Sequence, residues 1–64
     1  MCEANLYIKE GDQEVLFLES VAEITPEEDN RLFLVNIFGQ QQTVTAKIIE
    51  INLLKHKVII EKLT

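Results

Sequence analysis

The chain has 64 residues, enough for one domain and no more, and a domain this small buries only about 60% of the surface that its unfolded chain exposes. At 47% hydrophobic with two glycines and one proline it is not a disordered chain, and with one cysteine it cannot close an internal disulfide. A formal charge of −5 repels polyanions, and no apolar run approaches the ~20 residues needed to span a bilayer. A chain so short needs a metal, a partner subunit or very good packing to be stable. It shows no charged-then-apolar leader, and one unpaired cysteine suits a reducing compartment, so the expectation is a cytoplasmic protein that does not meet a membrane.

The dominant period is two, that of a strand. Ala4, Leu6 and Ile8 alternate with Asn5, Tyr7 and Lys9, and Cys2 shares the parity of Leu6 and Ile8. Gly11-Asp12 reads as a hairpin turn in which glycine supplies a positive φ. A strand follows over residues 14–19, and residues 21–24 extend or follow it. Thr25-Pro26-Glu27-Glu28-Asp29-Asn30 then breaks the pattern. Thr25 with Glu28 matches a capping box, but the segment is too short for more than one helical turn, and an acidic turn is the preferred reading.

Residues 31–38 form the strongest strand pattern, with Phe33, Val35 and Ile37 on one face and Leu32, Leu34 and Phe38 on the other. Gly39 and the glutamines 40–42 form the next turn. Val44, Ala46 and Ile48 alternate until Ile49, Ile51 and Leu53 take over the apolar parity, which predicts a β-bulge or sharp bend near Ile48-Ile49. Lys55-His56 makes another turn and residues 58–62 the last strand. The pattern predicts a single all-β domain over residues 1–64, a small SH3-like barrel of five or six short antiparallel strands. Several strands are apolar on both faces. This leaves apolar surface outside the core, the mark of a subunit interface, and a homodimer is expected.

The inventory for catalysis is poor. Ser20 and His56 are single and distant, there is no glycine-rich phosphate loop, and Glu27-Glu28 belongs to a solvated turn, so the chain is not read as an enzyme. Lys47, Lys55, Lys57 and Lys62 gather in the last third, but one small basic face on an acidic chain argues against nucleic acid. His56, between two lysines, is ordinarily an exposed turn residue; its functional alternative is a metal ligand. At Cys2 the α-amine, the Cys2 amide nitrogen and the thiolate can close two adjacent five-membered chelate rings on one ion. Such a planar nitrogen and sulfur set points to Ni(II) or Cu(II), of which Ni(II) is the less redox-active on a thiolate. If Met1 is removed, the amine belongs to Cys2 and the chelate changes. A small buried hydrophobe is an equally good reading of Cys2 from physics alone.

The opening Met1-Cys2-Glu3-Ala4-Asn5-Leu6-Tyr7, the early acidic hairpin, Val35-Asn36-Ile37-Phe38-Gly39 and the segment Leu53-Leu54-Lys55-His56-Lys57-Val58-Ile59-Ile60-Glu61 together resemble the CooT family of small nickel-binding proteins. The resemblance covers essentially the whole chain. It implies a homodimer of small β-barrels that binds nickel, with Cys2 in the place of the family's nickel-binding cysteine and a nickel enzyme such as carbon monoxide dehydrogenase as client. Glu3 departs from some relatives, and His56 matches a subset of them. The expectation is a nickel metallochaperone or store with Cys2 as main metal ligand, the Met1 amine if that residue is retained, and Glu3 and His56 as secondary candidates. Its rival is an RNA- or protein-binding module with a structural Cys2, in which Phe33, Phe38 and Tyr7 would stack on bases; core packing for the two phenylalanines and a strand face for Tyr7 is the preferred reading of those aromatics. A third expectation is a disulfide between the Cys2 residues of two subunits.

Overall fold

The computed structural model describes residues 3–63. Five strands, β1 (Ala4–Glu10), β2 (Gln13–Pro26), β3 (Arg31–Asn36), β4 (Gln41–Asn52) and β5 (Lys57–Lys62), follow one another around a closed barrel. Neighbours in the chain pair antiparallel, while β5 closes the ring against β1 in parallel register, Asn5 opposite Lys57 and Ile8 opposite Ile60. The expected all-β barrel therefore forms, with two corrections. An odd number of strands laid side by side in alternating direction brings the first and last together pointing the same way, so one seam cannot be antiparallel. The strands are also not uniformly short: β2 and β4 run for 14 and 12 residues. The first part of β2 pairs with β1 and the rest with β3; β4 likewise pairs first with β3 and then with β5.

Each long strand carries its bend at a register irregularity. Between Ala4 opposite Val21 and Leu6 opposite Leu18, the single residue Asn5 faces Glu19 and Ser20, and Ser20 takes a φ of 56°. An extra residue on one strand reverses its side-chain parity. That is why Leu18 and Val21, of opposite parity, are both buried. In β4 the irregularity falls between Ile48 and Glu50, where the change of apolar parity predicted it.

The core is built by Leu6, Ile8, Leu18, Val21, Leu32, Leu34, Val44, Ala46, Val58 and Ile60. On β3 the inward face is Leu32, Leu34 and Asn36; Phe33 is only half-buried and Phe38 is 70% exposed. Core packing for both phenylalanines is thus corrected. Phe33 lies on the outer parity of β3, and Phe38 lies beyond the strand, which ends at Asn36. The buried Asn36 is what turns the chain there. Its Oδ1 accepts from the backbone N–H of Phe38 at 3.1 Å and of Gln40 at 2.8 Å, and its Nδ2 donates to the Glu19 carbonyl at 3.3 Å and to Gln40 Oε1 at 2.6 Å. Gly39 completes the turn at φ 80°.

Gly11-Asp12 forms the expected hairpin turn, with Gly11 at φ 60°. Glu28–Asn30 forms a single 3₁₀ turn without a capping box: Glu27 makes no side-chain cap bond, and the Thr25 hydroxyl donates to Glu23 Oε2 instead. Apolar surface is left over as expected, with Ile49, Ile51, Leu53 and Leu54 exposed on late β4 and the turn after it. Among the described residues no helix is long and apolar enough to cross a membrane.

Candidate metal centre

The parallel seam between β1 and β5 sets the start of the first strand beside the start of the last. The Asn5 N–H donates to the His56 carbonyl at 2.8 Å, so the start of β1 is fastened to the last residue of the turn that precedes β5. That turn is set by its own polar residues: Asn52 Oδ1 accepts from the Lys55 N–H at 3.1 Å, and His56 closes the turn at φ 52°. Left-handed backbone is several-fold enriched in histidine over most side chains, and only a turn places one here.

Glu3 enters the same region from the other side. Glu3 and His56 both line an apolar cavity of about 180 Å³ with Ala4, Val21 and Leu53. They also line a more polar one of about 360 Å³ with Asn5 and Ser20. The two residues singled out as secondary ligands are therefore brought together across almost the full length of the sequence. Oε2 of Glu3 is buried and has no hydrogen-bond partner among the described residues. A buried carboxylate oxygen without a donor or cation is costly and rare, so this oxygen is suited to accept one.

Met1 and Cys2, the main predicted ligand positions, lie outside the described residues. Among the described residues no group of three or more histidine, cysteine, aspartate or glutamate side chains is assembled to hold a metal ion. Glu3 and His56 alone make at most two ligands there. A metal ion held there would need further ligands from elsewhere, and Cys2 is one peptide bond from Glu3.

The features that would serve the rival RNA-binding reading are dispersed. Lys57 is ion-paired with Glu14, and its Nζ lies 5.0 Å from the centre of the Tyr7 ring. Lys47 pairs with Glu61 at 3.5 Å, and Lys62 lies 5.9 Å from the centre of the Phe17 ring. Tyr7 is on β1, Phe33 on β3, and Phe38 on the turn after it. Two of the four lysines are thus already engaged with carboxylates, and Tyr7 is engaged by Lys57.

The sequence pattern does not single out Asn5 or Ser20 for this region. Ser20 did leave a trace in the sequence, because it interrupts the apolar parity between Leu18 and Val21. Asn5 left none, since a polar residue there simply satisfies the alternation.

The fold and this region define a small closed β-barrel in which the start of the first strand and the turn before the last strand meet at a polar cavity. A family model described as CO dehydrogenase accessory protein CooT matches residues 1–61. The crystal structure of a protein assigned as CooT from Carboxydothermus hydrogenoformans is 43% identical, covers 98% of this chain and 100% of its own, and superposes with a TM-score of 0.91. No curated protein matches the chain. The chain belongs to the CooT family of CO dehydrogenase accessory proteins. It is an accessory protein and not an enzyme.

Proposed function

We propose that this accessory protein binds Ni(II) as cargo and holds or delivers it as a metallochaperone or store. The Cys2 thiolate is the essential ligand in this reading, helped by the Cys2 amide nitrogen and, where Met1 is retained, by its amine. Glu3 and His56 are the secondary ligands. The observation that carries the reading is the buried Oε2 of Glu3, which has no hydrogen-bond partner among the described residues, in a cavity wall shared with His56 and one residue from the cysteine. An acceptor oxygen and an imidazole suit a divalent transition ion. The charge of an ion would also offset the cost of leaving that carboxylate buried.

The protein acts as a homodimer in this reading. The exposed side chains of Ile49, Ile51, Leu53 and Leu54, on β4 and the turn that carries His56, support it. Two-fold symmetry repeats each chain terminus on the partner, so two Cys2 thiolates can share one ion. The client in this reading is carbon monoxide dehydrogenase, after the family's description, and the setting is the cytoplasm, which suits a single unpaired cysteine. Thiolate and amine must lose protons before they bind, so affinity falls as pH falls. A nickel titration of the reduced protein beside Cys2→Ser, followed by absorbance and calorimetry, tests the reading. A thiolate-to-nickel charge-transfer band that is lost in the variant supports it; equal binding by both proteins overturns it.

A further inference from the structure

Two residues in the wall of the polar cavity, Ser20 and His56, hold left-handed backbone, at φ 56° and 52°. Such conformations persist in non-glycine residues only where their surroundings hold them. Asn5 touches both. Its backbone N–H donates to the His56 carbonyl at 2.8 Å, and its side-chain Oδ1 accepts from the Ser20 N–H at 3.0 Å. The register shift of β2 puts Glu19 and Ser20 opposite this one residue, and the Asn5 amide takes the place of a ladder carbonyl for the Ser20 N–H. The Ser20 carbonyl is bound as well, accepting from the Ile37 N–H at 2.9 Å. Ser20 is thus fixed on both sides, and Asn5 is fixed between Ser20 and His56.

We infer that Asn5 is a positioning residue for the cation site: by fastening the start of β1 to both walls, it sets the distance between Glu3 and His56. The inference rests on the nickel reading above. Glu3 is two residues upstream of Asn5, and its approach to the cavity depends on where β1 is held. The backbone bond to His56 survives any ordinary substitution at position 5. The bond to Ser20 depends on the side chain, and without it β1 is held on one side only. Asparagine suits the role because it accepts the bond without placing a second carboxylate beside the buried oxygen of Glu3.

The test is a double-mutant cycle read as nickel affinity. Asn5→Ala lowers the affinity by about tenfold to a hundredfold, as losses of ligand-orienting partners typically do. His56→Ala weakens binding in the wild type and adds little in the Asn5→Ala background. Asn5→Asp keeps an acceptor oxygen at the same reach, so the cost of His56→Ala returns there, whatever the added charge does to overall affinity. Thermal unfolding checks that each variant is folded. Should Asn5→Ala not fold, Asn5→Val removes the acceptor while keeping a good strand former. An equal cost of His56→Ala in the wild type and in the variant lacking the acceptor overturns the inference. So does a His56→Ala protein that binds nickel as wild type does while Cys2→Ser does not; that pair of results leaves the nickel reading standing. Absence of nickel binding by the wild type overturns both.

Discussion

Glu3 and His56 stand at opposite ends of the sequence and yet line the same two cavities. The parallel seam of β1 against β5 is responsible, because it sets the first residues of the first strand beside the turn that starts the last one. The Glu3 carboxylate brings to this place a buried oxygen without a partner among the described residues, and His56 brings an imidazole on a left-handed residue. Local conformational cost has collected where the candidate ligands meet.

That cost predicts a trade between stability and binding at position 56. His56→Gly relieves the left-handed backbone, a gain of up to about 1 kcal/mol before the loss of side-chain contacts. Urea unfolding should show His56→Gly as stable as the wild type or more so, while its nickel affinity falls. A clear destabilisation would mean that the imidazole itself holds the turn together.

The core makes a sharper stability prediction. Leu34 is fully buried, whereas Leu54 is 95% exposed. Leu34→Ala should cost about 2–5 kcal/mol. In so small a domain that removes a large part of the total, and the shift is read from the midpoint of a urea or thermal melt. Leu54→Ala should leave the unfolding of a single subunit almost unchanged.

Asn36 should behave as a core residue although it is polar. Asn36→Ala strips the acceptor from two backbone N–H groups and the donor from the Glu19 carbonyl. These bonds are part-buried, so each group that water cannot reach once Asn36 is gone costs about 1–3 kcal/mol. Asn36→Leu restores volume but not these bonds, so it should be nearly as unstable as Asn36→Ala in thermal melts. Recovery of full stability by leucine would show that the bonds contribute little.

The ion pair of Lys57 with Glu14 gives stability a dependence on alkaline pH. The hydrogen bond to Glu14 raises the Lys57 pKa above the usual 10.5, against an opposing effect of desolvation. The folded state therefore holds this proton more tightly than the unfolded chain does. The stabilisation is complete below pH 10.5 and is lost as pH rises through the folded value. Thermal melts from pH 8 to 12 should show a steeper alkaline decline in the wild type than in Lys57→Met. Since the pair is partly exposed, the difference at neutral pH should be small and shrink further with salt.

The dimer prediction concerns the turn after β4. Replacing exposed Leu53 and Leu54 by serine should leave the barrel folded, since neither contributes to its core. Under the proposed assembly the same change should shift the mass in solution from dimer to monomer, as read by light scattering. A dimer unaffected by the double substitution would place the interface elsewhere.

Much of this fold could be read from the sequence because strands with one buried face declare themselves by parity. The hairpin at Gly11-Asp12, the turn at Lys55-His56 and the irregularity near Ile48-Ile49 all follow from where that parity breaks. The pattern cannot say which of two apolar faces turns inward. On β3 both faces carry large side chains, and only the inward Asn36, chosen for its hydrogen bonds and not for its hydropathy, marks the difference. Of the candidate site, the sequence offers Glu3 and His56 as residues but not their arrangement. Glu3 and His56 were named singly; their meeting depends on the long-range closure of the barrel, which no local spacing encodes. Asn5 was hidden because its contribution is made through partners distant in sequence.

The central claim, that nickel is bound through Cys2 with Glu3 and His56 in support, is tested most directly by calorimetric nickel titration of the reduced wild type beside Cys2→Ser, Glu3→Gln and His56→Ala, with absorbance and molecular mass recorded at each point. The account predicts a charge-transfer band and tight binding in the wild type, loss of both in Cys2→Ser, and weaker binding with the band retained in the other two. Tight binding unchanged in Cys2→Ser, or no binding by the wild type, would contradict it.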